Sequence, residues 1–379
     1  MKIIYRSEQD PDFKCLEKYI ENGYFGNLHE GWIVEAEKEN NVWLSHMHTL
    51  FKNTFSKEQL DATKKFLENE FSEPIVPTKY ESISQHFLIK ELVEKISNSA
   101  KTLGLQKKEF PYYATLPTGE VNACAIKMEC SKKEFLLFDS QLFTFCNMFA
   151  KLFSLCLPIR SKGNISFNIN EIKNHIKNNK NGCVDKAHDL LHSYCKEKNP
   201  SKAKPYLPPQ DYLPLNIIIR DGMELMIVGH EYGHYFSGHL SNNIKNIVSD
   251  KIDIDNISDS HIQEHEADLL GSVLAIHALQ NSGIDMALAY SAVELFHSSM
   301  LMVARYYNYL DGIKDEHFEE EESETHPTFT KRKQFLREII PEIEVMSKHI
   351  ENIKFTYCVF DELIELLWME MMKKIKSKS

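Results

Sequence analysis

Residues 227–240 read IVGHEYGHYFSGHL, which places His230, Glu231, His234 and His239 within ten positions. On a helix, at about 100° per residue, His230 and His234 fall one turn apart and within about 40° of each other, so both imidazoles can reach one ion. Glu231 stands about 100° round, near enough to touch a water on that ion without binding it. Zinc held this way lowers the pKa of its water to about 7, and a neighbouring carboxylate can take the proton. The preceding stretch, NIIIRDGMELMIVG, has the apolar pattern of a buried helix that would carry the motif.

Two histidines and a water leave a zinc site incomplete, so a third ligand is required. His239 is about half a turn of the wheel from His230 and is set aside as a ligand. A metzincin pattern would need Gly and His where this chain has Ser237 and Leu240. The stronger candidate lies in IQEHEADLLGSVLAIHAL, a helix pattern with Leu269, Leu270, Val273 and Leu274 on one side. Its other side carries Glu264, Asp268 and the small residues Ala267 and Gly271, which permit close approach to another helix. Glu264 can then complete the ligand set while Asp268, one turn later, accepts the second N–H of a ligand histidine. Glu266 is about 200° from Glu264 and would need a different orientation of this helix. Without the histidine pair, the same stretch would read as a surface helix with an acidic first turn. The pair His46 and His48 in LSHMHTL is a much weaker metal signal.

The elements around these motifs follow from periodicity. Residues 1–110 predict a helical N-terminal region, with SKEQLDATKKFLENEF and SISQHFLIKELVEKISNSAKTLGL as its clearest helices. GEVNACAIKMEC, bounded by LPTG, predicts a strand, and KKEFLLFDSQLF a second strand running into a helix. Residues 159–213 turn polar and end in a proline cluster at 204–214. From Leu215 onward helical patterns dominate, with the acidic HFEEEESETHP as a solvated loop. The expected fold is therefore α+β, with a mostly helical domain at 111–379 that contains a small mixed sheet and a polar insertion at about 159–213.

Composition narrows the function. At 379 residues, with 42% hydrophobic and 26% charged residues, the chain reads as globular. A formal net charge of −11 argues against a nucleic-acid partner. No run of 18 apolar residues and no signal-peptide profile is present, so neither a transmembrane segment nor secretion is expected. Eight cysteines without a C-x-x-C pair predict free thiols in a reducing, cytoplasmic setting.

GHEYGHYFSGH followed by EHEADLLG resembles the gluzincin peptidases, in particular the family of the CAAX prenyl proteases and heat-shock membrane peptidases. Two more pieces keep that family's order. EVNACAIKMECSKKEFLLFDSQL is similar to its N-A-x-A edge strand with the following strand and helix, and THPTFTKRKQFL to its T-H-P followed by an arginine. The resemblance spans residues 119–340. It implies His230, His234 and Glu264 as zinc ligands, Glu231 as general base and Asp268 as the partner of a ligand. It also places His326 and Arg332 at the site, and Asn122, Ala123, Cys124 and Ala125 along an extended protein or peptide substrate. The chain departs from the family in showing no spanning helix, in its long step from Asp139 to His230, and in lacking a glycine at the strand-to-helix turn. A chain of this kind with these motifs is also similar to the Lit-type phage-exclusion proteases, which implies a cytoplasmic role in phage defence. The expected activity is zinc-dependent endopeptidase. The alternative is a regulatory binding protein whose zinc braces the fold; Glu231 favours the enzyme, because a closed structural site has no use for a base.

Overall fold

The computed structural model describes residues 4–22, 58, 76–105, 109–116, 121–160, 164–240 and 259–377. The fold is mostly helical α+β with one small mixed sheet among the described residues. His46, His48 and nearly all of the helix expected at 56–71 lie outside the described residues. The chain divides into two compact units, residues 1–94 with 109–140, and residues 95–108 with 141–379.

In the first unit, α1 (Arg6–Gln9), α2 (Pro11–Asn22) and the start of α3 (Ile83–Thr102) accompany β1 (Tyr112–Leu116), β2 (Ala123–Lys127) and β3 (Glu134–Asp139). The strand order is β1-β3-β2, with β3 parallel to β1 and antiparallel to β2. Central β3 is buried from Phe135 to Asp139, which explains why EFLLFD shows a continuous apolar run rather than alternation. Phe13, Leu16, Ile20, Tyr80, Phe135 and Leu137 form the core of this unit. β1 has no counterpart among the strands expected from the sequence. YYATL is short and lacks a period of two, because its last three residues are all buried.

One cysteine pair departs from the expectation of free thiols: Cys15 and Cys130 form a disulfide with Cα atoms 5.9 Å apart, while the other six cysteines form none. They lie 115 residues apart in the chain, so only the fold, which brings α2 to the turn after β2, reveals the pair.

The second unit begins its main run with α4 (Ser140–Cys156), continuous with β3. The polar stretch that follows contains α5 (Ile169–Lys177) and α6 (Cys183–Glu197). Their narrow apolar stripes, Ile172 and Ile176 on one and Val184, Ala187, Leu190 and Leu191 on the other, are buried. Asn168 caps α5, accepting hydrogen bonds from the N–H groups of Asn170 and Glu171.

The site is carried by α7 (Leu213–Ser237), α8 (Asp259–Asn281), α9 (Met286–Leu310) and α10 (Phe329–Ile339), with α11 (Glu344–Ser347) and α12 (Ile350–Lys376) completing the unit. α7 and α8 run antiparallel in backbone contact. A Cβ on Gly229 would fall 2.6 Å from the Gly271 carbonyl oxygen, and one on Gly233 would fall 2.6 Å from that of Ala267. Gly222 makes a similarly close approach to Ala292 of α9. α10 is pinned by partly buried charge: Arg337 and Lys333 engage Glu294 of α9 and Asp361 of α12. Phe335 and Leu336 pack against Leu269 of α8. By length and composition, α9 is the one helix among the described residues apolar enough to cross a membrane, at a mean hydropathy of 1.3; 78% of that stretch is buried inside the protein.

Candidate metal centre

The close crossing of α7 and α8 brings three donors together. His230 Nε2 and His234 Nε2 are 3.1 Å apart. Glu264 places Oε2 3.5 Å from the first and Oε1 3.3 Å from the second. All three donor atoms lie within 4.8 Å of one another, and they form a group able to hold a metal ion. Bulkier residues at 229, 233, 267 or 271 would push the helices apart and separate the donors.

Asp268 is fully buried one turn beyond Glu264. Its Oδ1 accepts from His230 Nδ1 at 2.9 Å, leaving the Nε2 lone pair facing the other donors. Arg332, on α10, grips the same carboxylate twice: Nε reaches Oδ2 at 2.6 Å and Nη2 reaches Oδ1 at 2.5 Å. Its Nη1 is also 3.3 Å from Glu264 Oε2. Thr328 fixes the start of α10, accepting from the Lys331 N–H at 3.2 Å. His297 of α9, absent from the sequence-based candidates, is fully buried with Nε2 3.6 Å from Asp268 Oδ1. Nothing in its surrounding sequence, VELFHSSM, distinguishes it from a core histidine.

Behind His234 stand two residues that periodicity sets aside as ligands, His239 and Glu266. His239, which helical periodicity turns away from the site, folds back so that the Nδ1 atoms of His234 and His239 are 2.9 Å apart. His239 Nε2 is in turn 2.9 Å from Glu266 Oε2. Helical geometry ends at Ser237: Gly238 adopts φ 80°, its N–H donates to Tyr235 O, and the His239 N–H donates to His234 O. This is a Schellman turn, which stacks the second residue past the helix on the last turn. The signal was present in the sequence as a glycine immediately before the histidine.

Burial raises the pKa of Glu231, which is 4% exposed, and the negative charge of Glu264 adds to the shift; His230 and His234 oppose it. Burial also disfavours ionised Glu264, but His230, the His234 hydrogen bond and Arg332 outweigh it and hold its pKa down at about 2. Asp268 is likewise kept ionised against its burial, by Arg332 first and then His297 and His230. Burial disfavours charge on His230, yet its hydrogen bond to Asp268 and the charges of Glu264 and Asp268 raise its pKa.

Of the remaining sequence candidates, His326 is exposed (60% of its side chain) with Nε2 3.6 Å from Glu264 Oε1. Asn122, Ala123, Cys124 and Ala125 belong to the other unit. Asn122 O accepts from the Asp139 N–H, and Ala123, Cys124 and Ala125 pair with Phe138, Leu137 and Leu136 of β3. Among the described residues β2 pairs on one side only. No family profile, curated protein or solved structure matches this chain.

Proposed function

We propose that the chain is a zinc-dependent endopeptidase acting on a protein substrate, similar in its site to the gluzincin peptidases. The observation that carries this reading is the convergence of His230, His234 and Glu264 beside buried Glu231. The donor set fits zinc: two imidazole nitrogens and one carboxylate leave a fourth position open. Glu264 Oε2 is buried 3.3 Å from Arg332 Nη1 but makes no hydrogen bond of good geometry, which leaves lone-pair capacity for a metal ion.

Bound there, zinc supplies Lewis acidity toward a carbonyl oxygen and lowers the pKa of water. Glu231 takes a proton from water and later delivers it to the leaving amine. Its raised pKa suits a group that must both accept and return that proton near neutral pH. His326, exposed and with Nε2 3.6 Å from Glu264 Oε1, would donate to the developing oxyanion. Arg332 is committed to Asp268 and Glu264 and orients the ligands from behind. In its own unit, Asn122 and the following β2 residues Ala123–Ala125, paired on one side only among the described residues, would offer main-chain hydrogen bonds to an extended peptide. A role in phage defence accords with the Lit-type resemblance.

The test is Glu231→Gln. Loss of a general base lowers rate about 100-fold to 10,000-fold. Mass spectrometry of a proteome incubated with each form should show cleavage products with wild type and almost none with the variant, at equal zinc content and equal thermal stability. Equal inertness of both forms would overturn the peptidase and leave a metal-braced binding protein.

A further inference from the structure

We infer that His239 and Glu266 are positioning residues for the metal ligand His234, delivered to it by the turn that ends α7. The inference rests on the metal-centre reading above and concerns what makes His234 a competent ligand.

Proton placement carries the argument. Glu266 is a carboxylate whose Oε2 lies 2.9 Å from His239 Nε2, so that nitrogen bears the hydrogen and donates it. In neutral His239 the other nitrogen, Nδ1, must then be an acceptor. The atom 2.9 Å from it is His234 Nδ1, which therefore carries its own hydrogen and donates. That tautomer leaves the lone pair of His234 on Nε2, the atom facing His230 and Glu264. Glu266 thus sets the lone pair of His234 through an intervening imidazole, and the side chains of His239 and Glu266, 2% and 1% exposed, are shielded from competing water. The ring of His234 is fixed as well as its tautomer, since a rotation of the ring would break the Nδ1 contact.

The turn supplies the placement. A Schellman turn ordinarily brings two apolar side chains together, one from the third residue before the cap and one from the second residue after it. Here those positions are His234 and His239, so a device that normally only ends a helix seats a hydrogen-bond acceptor behind a ligand.

The experiment measures Zn(II) affinity against a chromophoric chelator, and the visible spectrum of the Co(II)-loaded protein, for wild type, His239→Leu, His239→Gln and Glu266→Gln. Loss of such an outer partner typically weakens metal binding about 10-fold to 100-fold, and that loss is expected for His239→Leu together with a changed Co(II) spectrum. His239→Gln, whose amide oxygen can accept from His234 Nδ1, should recover most of the loss. Glu266→Gln, with an amide that no longer enforces one tautomer, should fall between. Urea melts of the metal-free proteins supply the control for folding: a variant that loses stability but keeps wild-type affinity in its folded fraction marks a merely structural turn and overturns the inference. So does a change under about threefold in both His239→Leu and Glu266→Gln, against the 10-fold to 100-fold expected. If wild type itself binds no Zn(II), the metal-centre reading fails first, and the two failures are distinguishable.

Discussion

His230 and His234 sit one helical turn apart on the same face of α7, yet their outward nitrogens meet different chemistry. Behind His230 stands Asp268, a fully buried carboxylate clamped by the two-pronged grip of Arg332 and flanked by His297. Behind His234 stands a second imidazole, His239, with the carboxylate of Glu266 one step further out. The first arm draws on three helices and sets two opposite full charges, Asp268 and Arg332, against each other in the interior; the second, built from the end of one helix and a single residue of another, holds one buried carboxylate against an imidazole. Buried ion pairs add little net stability when intact and are costly to break from one side. The His230 arm should therefore be the one whose rupture threatens the fold, and the His234 arm the one whose rupture is felt at the metal.

Asp268→Ala should have the largest effect. It removes the two-pronged partner of the buried Arg332 guanidinium, leaves it with Glu264 alone, and should lower unfolding free energy by about 3–5 kcal/mol, read in a urea melt. If Asp268→Ala melts like wild type while losing metal, the asymmetry between the arms is wrong. Gly271→Ala comes next, because the added methyl would fall 2.5 Å from the His230 backbone nitrogen. Forcing the crossing apart should cost about 1–3 kcal/mol. It should also weaken metal binding through both arms at once, because the helices that separate carry all three ligands. Gly238→Ala is the mildest of the three and the most selective. A side chain at φ 80° costs about 1–2 kcal/mol. It should displace His239 while leaving His230 and Asp268 in place, so histidine ring resonances in NMR spectra should shift for His234 and stay for His230. Movement of both would show that the arms are not separable.

Much of this site could be read from the residues, and the parts that could not share a cause. The HEYGH spacing, Glu264 and Asp268 on one side of the later helix, and Ala267 and Gly271 beside them all obey helical periodicity, and the structure brings them together. Helical periodicity leaves His239 outside the ligand group, as it is, but says nothing of its place behind His234, because Gly238 ends the helix just before it. His297 and the Cys15–Cys130 pair depend on contacts between segments far apart in the chain, which no local pattern encodes. The sheet divides in the same way. β2 and the β3-to-α4 junction follow from a short β-branched segment bounded by LPTG and from a continuous apolar run, while β1, buried beside a parallel neighbour, carries no periodic signal.

The backbone contact between α7 and α8 also ties stability to mass action. Donors on two touching helices bind an ion together only when that crossing is formed, so under the proposed reading the ion favours the folded chain over the unfolded one. The gain is set by supply: free zinc at 100 times its dissociation constant adds about 2.7 kcal/mol, and at 1,000 times about 4.1 kcal/mol. The midpoint of thermal unfolding should then climb with the logarithm of free metal, and a cell that withholds zinc would hold this protein both inactive and closer to its unfolding threshold.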